Sequence, residues 1–202
     1  MRKLGVTLLV LSACGGGTKT IVEIPSSPLR VYRVPSCSME PTIGVGTYVY
    51  LETTSPSPSV GDIAVFHPPE GAEQEECGPT PHIVKLGGAA CTEPIPRPSN
   101  VQFIKRIVAG PRDELYVTEG HVYRRAAETS QFIREQDSYI RPCGASPECN
   151  FPTPIKVPAG EWYTLGDNRG ESDDSRFWGA IPTEWIVGIV RWCVKIGNPC
   201  PT

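Results

Sequence analysis

Histidine, the side chain that most often carries acid-base catalysis or binds zinc, is scarce here. His67, His82 and His121 are the only three in 202 residues. None stands in a His-Glu-x-x-His pattern or near a Cys-x-x-Cys pair, so no metal site and no cofactor is expected. A Gly-x-Ser-x-Gly elbow is missing too, which removes one usual seat for a catalytic serine. A Ser-His-Asp triad stays open, because its members meet only in the fold. There is no surplus of positive charge: 19 Lys and Arg against 22 Asp and Glu leave a net charge of -3, which disfavours a nucleic-acid partner. Long uninterrupted helices are lacking as well, since 22 prolines and 20 glycines break the chain too often for an all-helical bundle. A hydrophobic content of 39% is nevertheless enough for a folded core.

The one apolar run of note is at the start. Met1, Arg2 and Lys3 are followed by about ten mostly apolar residues, 4–13, and then by Cys14 and three glycines. Such a run is too short to cross about 30 Å of hydrocarbon as a helix. Residues 1–13 therefore read as an export signal with a charged start, an apolar middle and a small-residue exit. Leu11-Ser12-Ala13-Cys14 also resembles the bacterial lipobox, in which the cysteine is acylated and becomes the new N-terminus. The expected product is a protein of the cell envelope, anchored to a membrane surface by lipid on Cys14 and facing the periplasm. Residues 14–28, small and polar, suit a tether, with a single domain over 29–202.

The rest is turn-rich and strand-rich. Residues 31–34, 47–51, 62–66, 101–108, 114–117, 120–123, 163–165 and 185–194 are short runs of β-branched and aromatic residues bounded by Gly, Pro, Asp or Ser. Two stretches break the rhythm: 68–100, rich in Pro, Gly and Glu, and 126–158, polar with Pro. Both read as excursions from an all-β, mostly antiparallel, partly open barrel-like core. Only 182–186 looks like a helical turn.

Three segments have the composition of a reactive site. In Pro35-Ser36-Cys37-Ser38-Met39-Glu40-Pro41-Thr42 a strand ends in a turn with two serines two positions apart, on one side if extended. In Phe103-Ile104-Lys105-Arg106-Ile107-Val108 a lysine lies inside an apolar strand, where its ammonium must either snorkel out or lose charge and become a usable base. Gly166-Asp167-Asn168-Arg169-Gly170-Glu171-Ser172-Asp173-Asp174-Ser175-Arg176 is dense in hydroxyls and paired charge, and Asp174 and Arg176 are spaced to clamp it. Each alone is equally a polar strand end, an amphipathic strand and a solvated loop.

Taken in order, Ser-Met-x-Pro-Thr, Lys-Arg-Ile-Val and Gly-Asp-Asn-Arg-x-x-Ser-x-Asp-Ser-Arg-x-x-Gly resemble the bacterial type I signal peptidase family, as does the run Gly61-Asp62-Ile63-Ala64-Val65-Phe66. The resemblance covers 34–66, 101–113 and 163–188. It implies a serine endopeptidase of the cell envelope that cuts exported precursors after a small residue. Ser38 falls at the nucleophile and Lys105 at the general base of a serine-lysine dyad. Ser36 falls at the oxyanion hole, Ser172 at the hydroxyl that hydrogen-bonds the lysine, and Asp174 and Arg176 at the residues that brace the site. Val34, Met39, Phe103 and Ile104 fall at the walls of shallow substrate pockets. The family usually has glycine where this chain has Cys37, Ala109 and Arg112. Two rival readings are a peptidase dedicated to one pilin or conjugation precursor and a noncatalytic peptide-binding lipoprotein.

Eight cysteines point to an oxidising compartment. Three local disulfides are sterically natural, Cys77 with Cys91, Cys143 with Cys149 and Cys193 with Cys200. With Cys14 assigned to lipid, Cys37 is then expected as a free thiol beside Ser38; the alternative is that it is bridged.

Overall fold

The computed structural model describes residues 30–53, 57–84, 87–144, 146 and 149–194. The segments expected as export signal and tether, with Cys14, and also Cys200, lie outside them. The chain is nearly all-β. Seven strands form one antiparallel sheet in the order β1 (Arg30–Arg33), β2 (Tyr48–Glu52), β13 (Ile186–Val194), β3 (Ile63–Phe66), β6 (Phe103–Ala109), β11 (Glu161–Leu165), β12 (Ile181–Pro182). Register shifts interrupt the pairings of β11 with β6 and of β13 with both β2 and β3. Irregularities of this kind bend a strand and sharpen its twist, and the sheet curls into a half-barrel.

A second antiparallel sheet joins β7 (Glu114–Thr118), β8 (His121–Arg125), β9 (Ile133–Arg134) and β10 (Phe151–Lys156) in the order β10-β7-β8-β9. The polar stretch 126–158 thus supplies two strands of this sheet. β10 escapes notice in the sequence because Pro152 and Pro154 lie inside it. They are tolerated because β10 is an edge strand paired only with β7, with its register shifting between Phe151 and Ile155. The other excursion, 68–100, holds the small hairpin of β4 (Glu76–Cys77) and β5 (His82–Ile83) and the Cys77–Cys91 disulfide.

Burial explains the uneven strand patterns. All four residues of β3 are buried, because β3 is central and both its faces are covered. Ala64, Phe66, Ile107, Trp178 and Ile189 pack on one face, while Val34, Met39, Ile43, Val49, Leu51 and Ile104 form another cluster. A third cluster, around Leu115, Val117, Phe151 and Tyr163, joins the two sheets. The only α-helix among the described residues is the single turn α1 (Ser175–Trp178). Asp174 caps it, accepting from the Arg176 backbone N–H, and Gly179 follows it. The turn expected at 182–186 is a 3-10 turn over Thr183–Trp185.

Candidate active site

The turn that carries Ser38 is fixed from below. Val34 N–H donates to the Thr47 carbonyl at 2.9 Å and Gly46 N–H to the Val34 carbonyl at 2.8 Å, extending the β1–β2 ladder to the turn's two ends. Met39 and Ile43 plug into the core beneath it, with Ile43 N–H donating to the Met39 carbonyl at 2.8 Å. Ser38 stands above this plug, 5% exposed, its Oγ 3.2 Å from Ser36 Oγ.

Lys105 comes from the middle of β6, where β3 and β11 flank it on either side, and it too is only 5% exposed. Its cross-strand neighbour is Ala64, a small side chain that leaves room for the lysine stem on their shared face. The ammonium lies 5.5 Å from the centre of the Phe103 ring. Burial disfavours the charged form and brings the Lys105 pKa down to about 8. The negative charges of Asp174 and Asp173 oppose the shift, and the positive charge of Arg176 adds to it.

Ser36, Ser38, Phe103, Ile104, Lys105 and Ser172 all line one cleft of about 1150 Å³. Ser172 Oγ is buried without a hydrogen-bond partner among the described residues. Its loop can approach the serine turn only because residue 166 is glycine: a Cβ there would come within 2.2 Å of Ser172 Oγ and 2.5 Å of the Ser38 carbonyl oxygen. Asn168 joins the same two segments. Its backbone N–H donates to the Ser38 carbonyl at 3.0 Å and its Nδ2 to the Cys37 carbonyl at 3.3 Å.

Asp174 and Arg176 lie at the base of this loop, both wholly buried. Arg176 Nε and Nη2 donate to the two Asp174 carboxylate oxygens at 2.8 and 2.9 Å. The remaining Arg176 donors reach the carbonyls of Cys149, Arg169 and Ser172. Asp174 also accepts from Gly166 N–H at 3.0 Å. Burial pushes the Asp174 pKa up, but the charge and hydrogen bonds of Arg176 outweigh it and hold the carboxyl below its ordinary value. Beside it, Arg106 makes a second two-bond pair with Asp167 at 2.8 and 2.7 Å and stacks 4.0 Å from the centre of the Tyr139 ring.

Val34 and Met39, 1% and 0% exposed, pack in the apolar cluster beneath the serine turn. One expectation changes. Cys37 is not a free thiol but disulfide-bonded, the alternative left open above, and Cys193 is disulfide-bonded as expected. Histidine is absent from the described cleft lining, which leaves no seat for a triad there. His67 faces the Ser99 and Val101 carbonyls, and His121 faces Asp137. Arg112, at a position where the family usually has glycine, adopts the left-handed conformation that glycine takes without strain, at φ 68°. Ala109 is an ordinary buried strand residue. Cys143 and Cys149 are joined at the cleft wall.

Gly166 and Asn168 stand in the motif that carries the family resemblance, but the sequence assigns no role to either. Nor does it signal the strap over the serine turn, in which Arg141 Nη2 donates to Glu40 at 3.2 Å and Arg141 N–H donates to the Asp167 carbonyl at 2.8 Å.

The sequence profile of the family described as signal peptidase, peptidase S26, matches residues 8–195. The chain belongs to that family. It is 35% identical over 158 residues to a probable signal peptidase I of Synechocystis sp., a match covering 77% of this chain and 65% of the relative. It is 34% identical to a signal peptidase I of Leptolyngbya laminosa, over 79% of this chain and 66% of that one. It is also 35% identical to thylakoidal processing peptidase 1 of Arabidopsis thaliana, over 77% of this chain and 38% of that longer one. The chain thus spans about two thirds or less of these three S26 relatives.

Proposed function

We propose that this S26 chain is an endopeptidase that removes signal peptides from exported precursor proteins, with Ser38 as nucleophile and Lys105 as general base. The observation that carries this reading is a lysine buried in the same cleft as a serine hydroxyl, with its pKa lowered to about 8. A serine hydroxyl is inert until its proton is taken, and an ordinary lysine, protonated up to about pH 10.4, cannot take it. Burial makes the neutral amine accessible near physiological pH.

In this account Lys105 Nζ accepts the Ser38 Oγ proton as Oγ attacks the scissile carbonyl carbon. The oxyanion is held by Ser38 N–H and the Ser36 hydroxyl, and the Lys105 ammonium then passes its proton to the departing amine of the mature protein. Water, deprotonated by Lys105, hydrolyses the acyl-enzyme and releases the signal peptide. Ser172 Oγ, buried in the same cleft without a hydrogen-bond partner, is left available to accept from the lysine amine and aim it. Phe103 and Ile104 present the apolar surface against which small side chains before the cut lie, and the Asp174–Arg176 pair braces the loop from behind. Anchoring through lipid on Cys14 would place the cleft at a periplasmic membrane surface, where precursors emerge.

The test is incubation of the full chain in detergent with a precursor carrying alanine at the first and third residues before the cut, followed by mass determination of the product N-terminus. One cut at that alanine, lost when it is replaced by a bulky residue, supports the reading. An intact precursor contradicts it.

A further inference from the structure

We infer that Asn168 is a positioning residue that builds the oxyanion hole by orienting the peptide between Cys37 and Ser38. The inference rests on the serine-lysine mechanism proposed above and adds to it a residue that acts through the backbone of the nucleophile.

In a planar trans peptide, the carbonyl of one residue and the N–H of the next point in opposite directions. Whatever fixes the Cys37 carbonyl therefore fixes the Ser38 N–H. Two donors converge on that carbonyl: Glu40 N–H at 3.0 Å, from within the turn, and Asn168 Nδ2 at 3.3 Å, from the loop across the cleft. The Asn168 amide must present its NH2 end here, because a carbonyl accepts and does not donate. Asn168 N–H holds the next carbonyl, that of Ser38, at 3.0 Å, so one residue grips both ends of the nucleophile's own backbone. With both carbonyls turned toward the loop, the Ser38 N–H is directed the other way. No acceptor among the described residues takes it, which leaves it free for a developing oxyanion beside Ser36.

Asn168 is 2% exposed and can keep this grip only if its own loop is rigid. Four contacts supply that rigidity. Gly166 N–H is held by Asp174, the Asp167 carboxylate is held by Arg106, and the Asp167 and Arg141 carbonyls accept from Arg141 and Arg169 N–H at 2.8 and 3.0 Å. The buried ion pairs thereby reach the oxyanion hole through a single side-chain amide.

The test uses Asn168→Ala in the full chain, with Asn168→Ser as a second variant that places less demand on the core. Thermal melts establish that each is folded. A peptide aldehyde, to whose carbon Ser38 Oγ adds so that the resulting oxygen occupies the oxyanion position, reports on the hole. Binding of an uncleaved signal peptide, measured with Ser38→Ala also present, reports on the ground state. Expected are a fall in kcat of about 10- to 100-fold, smaller than or comparable to the loss of an oxyanion donor outright, and KM unchanged within about twofold. Aldehyde affinity should fall in step with kcat while peptide affinity holds. The kcat loss should be less than multiplicative with that of Ser36→Ala, and the pH midpoint unmoved, since no charge near Lys105 has changed. A loss confined to KM, a kcat within about threefold of the original, aldehyde affinity unchanged while kcat falls, or both variants unfolded would each overturn the inference. An active Ser38→Ala would instead overturn the mechanism beneath it.

Discussion

Asp174 and Arg176 face each other through two side-chain hydrogen bonds, 2.8 and 2.9 Å long, and neither side chain is more than 1% exposed. Removing one partner of such a pair leaves an uncompensated buried charge, at a cost of about 3–5 kcal/mol. Asp174→Asn retains a side-chain oxygen to cap α1 but deletes the charge, so the melting temperature should fall. The same carboxylate is the strongest of the influences raising the Lys105 pKa against its burial. Where the variant is folded, its pH–rate midpoint should lie below that of the wild type, as the lysine gives up its proton more readily. A midpoint that stays put or moves up would contradict the electrostatic account.

The buried lysine also works against the fold. Its pKa is about 8 in the native state against 10.5 for the unperturbed group, so between those values the unfolded chain binds more protons and native stability rises with pH. Below pH 8 the penalty is present in full, about 3 kcal/mol at 1.36 kcal/mol per pKa unit. Lys105→Met, which keeps much of the volume without the charge, should therefore melt higher than the wild type at pH 7 while being inactive. The gain should shrink toward pH 10.5. Equal melting temperatures at pH 7 would indicate that the ammonium is solvated.

Gly166 is required for space rather than for an unusual backbone angle. Its absent Cβ would meet Ser172 Oγ at 2.2 Å and the Ser38 carbonyl at 2.5 Å, separations that real side chains do not tolerate. Gly166→Ala should push the loop off the serine turn and lower kcat by at least about a hundredfold, as misplacement of a catalytic group by about 1 Å does. Circular dichroism should remain that of a folded β protein. Near-normal turnover would show that the loop does not set the geometry.

Much of this architecture was legible in the sequence because local pattern and final environment agree. The β-branched runs became strands of the two sheets, six in the large one and two, β7 and β8, in the second, and the three chemically dense segments meet at one cleft. What stayed hidden depends on contacts distant in sequence. The run Phe103–Ala109 shows a lysine among apolar residues, but only the placement of β6 between β3 and β11 decides that Lys105 is buried while Arg106 escapes to Asp167. Phe-Pro-Thr-Pro-Ile-Lys looks unlike a strand until it is seen on a sheet edge, where its prolines owe no hydrogen bond. α1 had a readable cap and stop, Asp174 and Gly179, yet with one turn between them it had no periodicity to find. The grip of Asn168 on residues 37 and 38 spans a sequence separation of 131, which no local signal encodes.

The central claim is that a serine-lysine pair, with no histidine, performs the cleavage. The most direct measurement is the single-turnover rate of precursor cleavage by Lys105→Ala, folded and with substrate bound, beside the wild type. Loss of the base should lower this rate by at least about a thousandfold, since the two groups act as one unit and half of it does little. Retention of more than about a tenth of the wild-type rate, well above what losing such a base leaves, would contradict the account and return the search to another base.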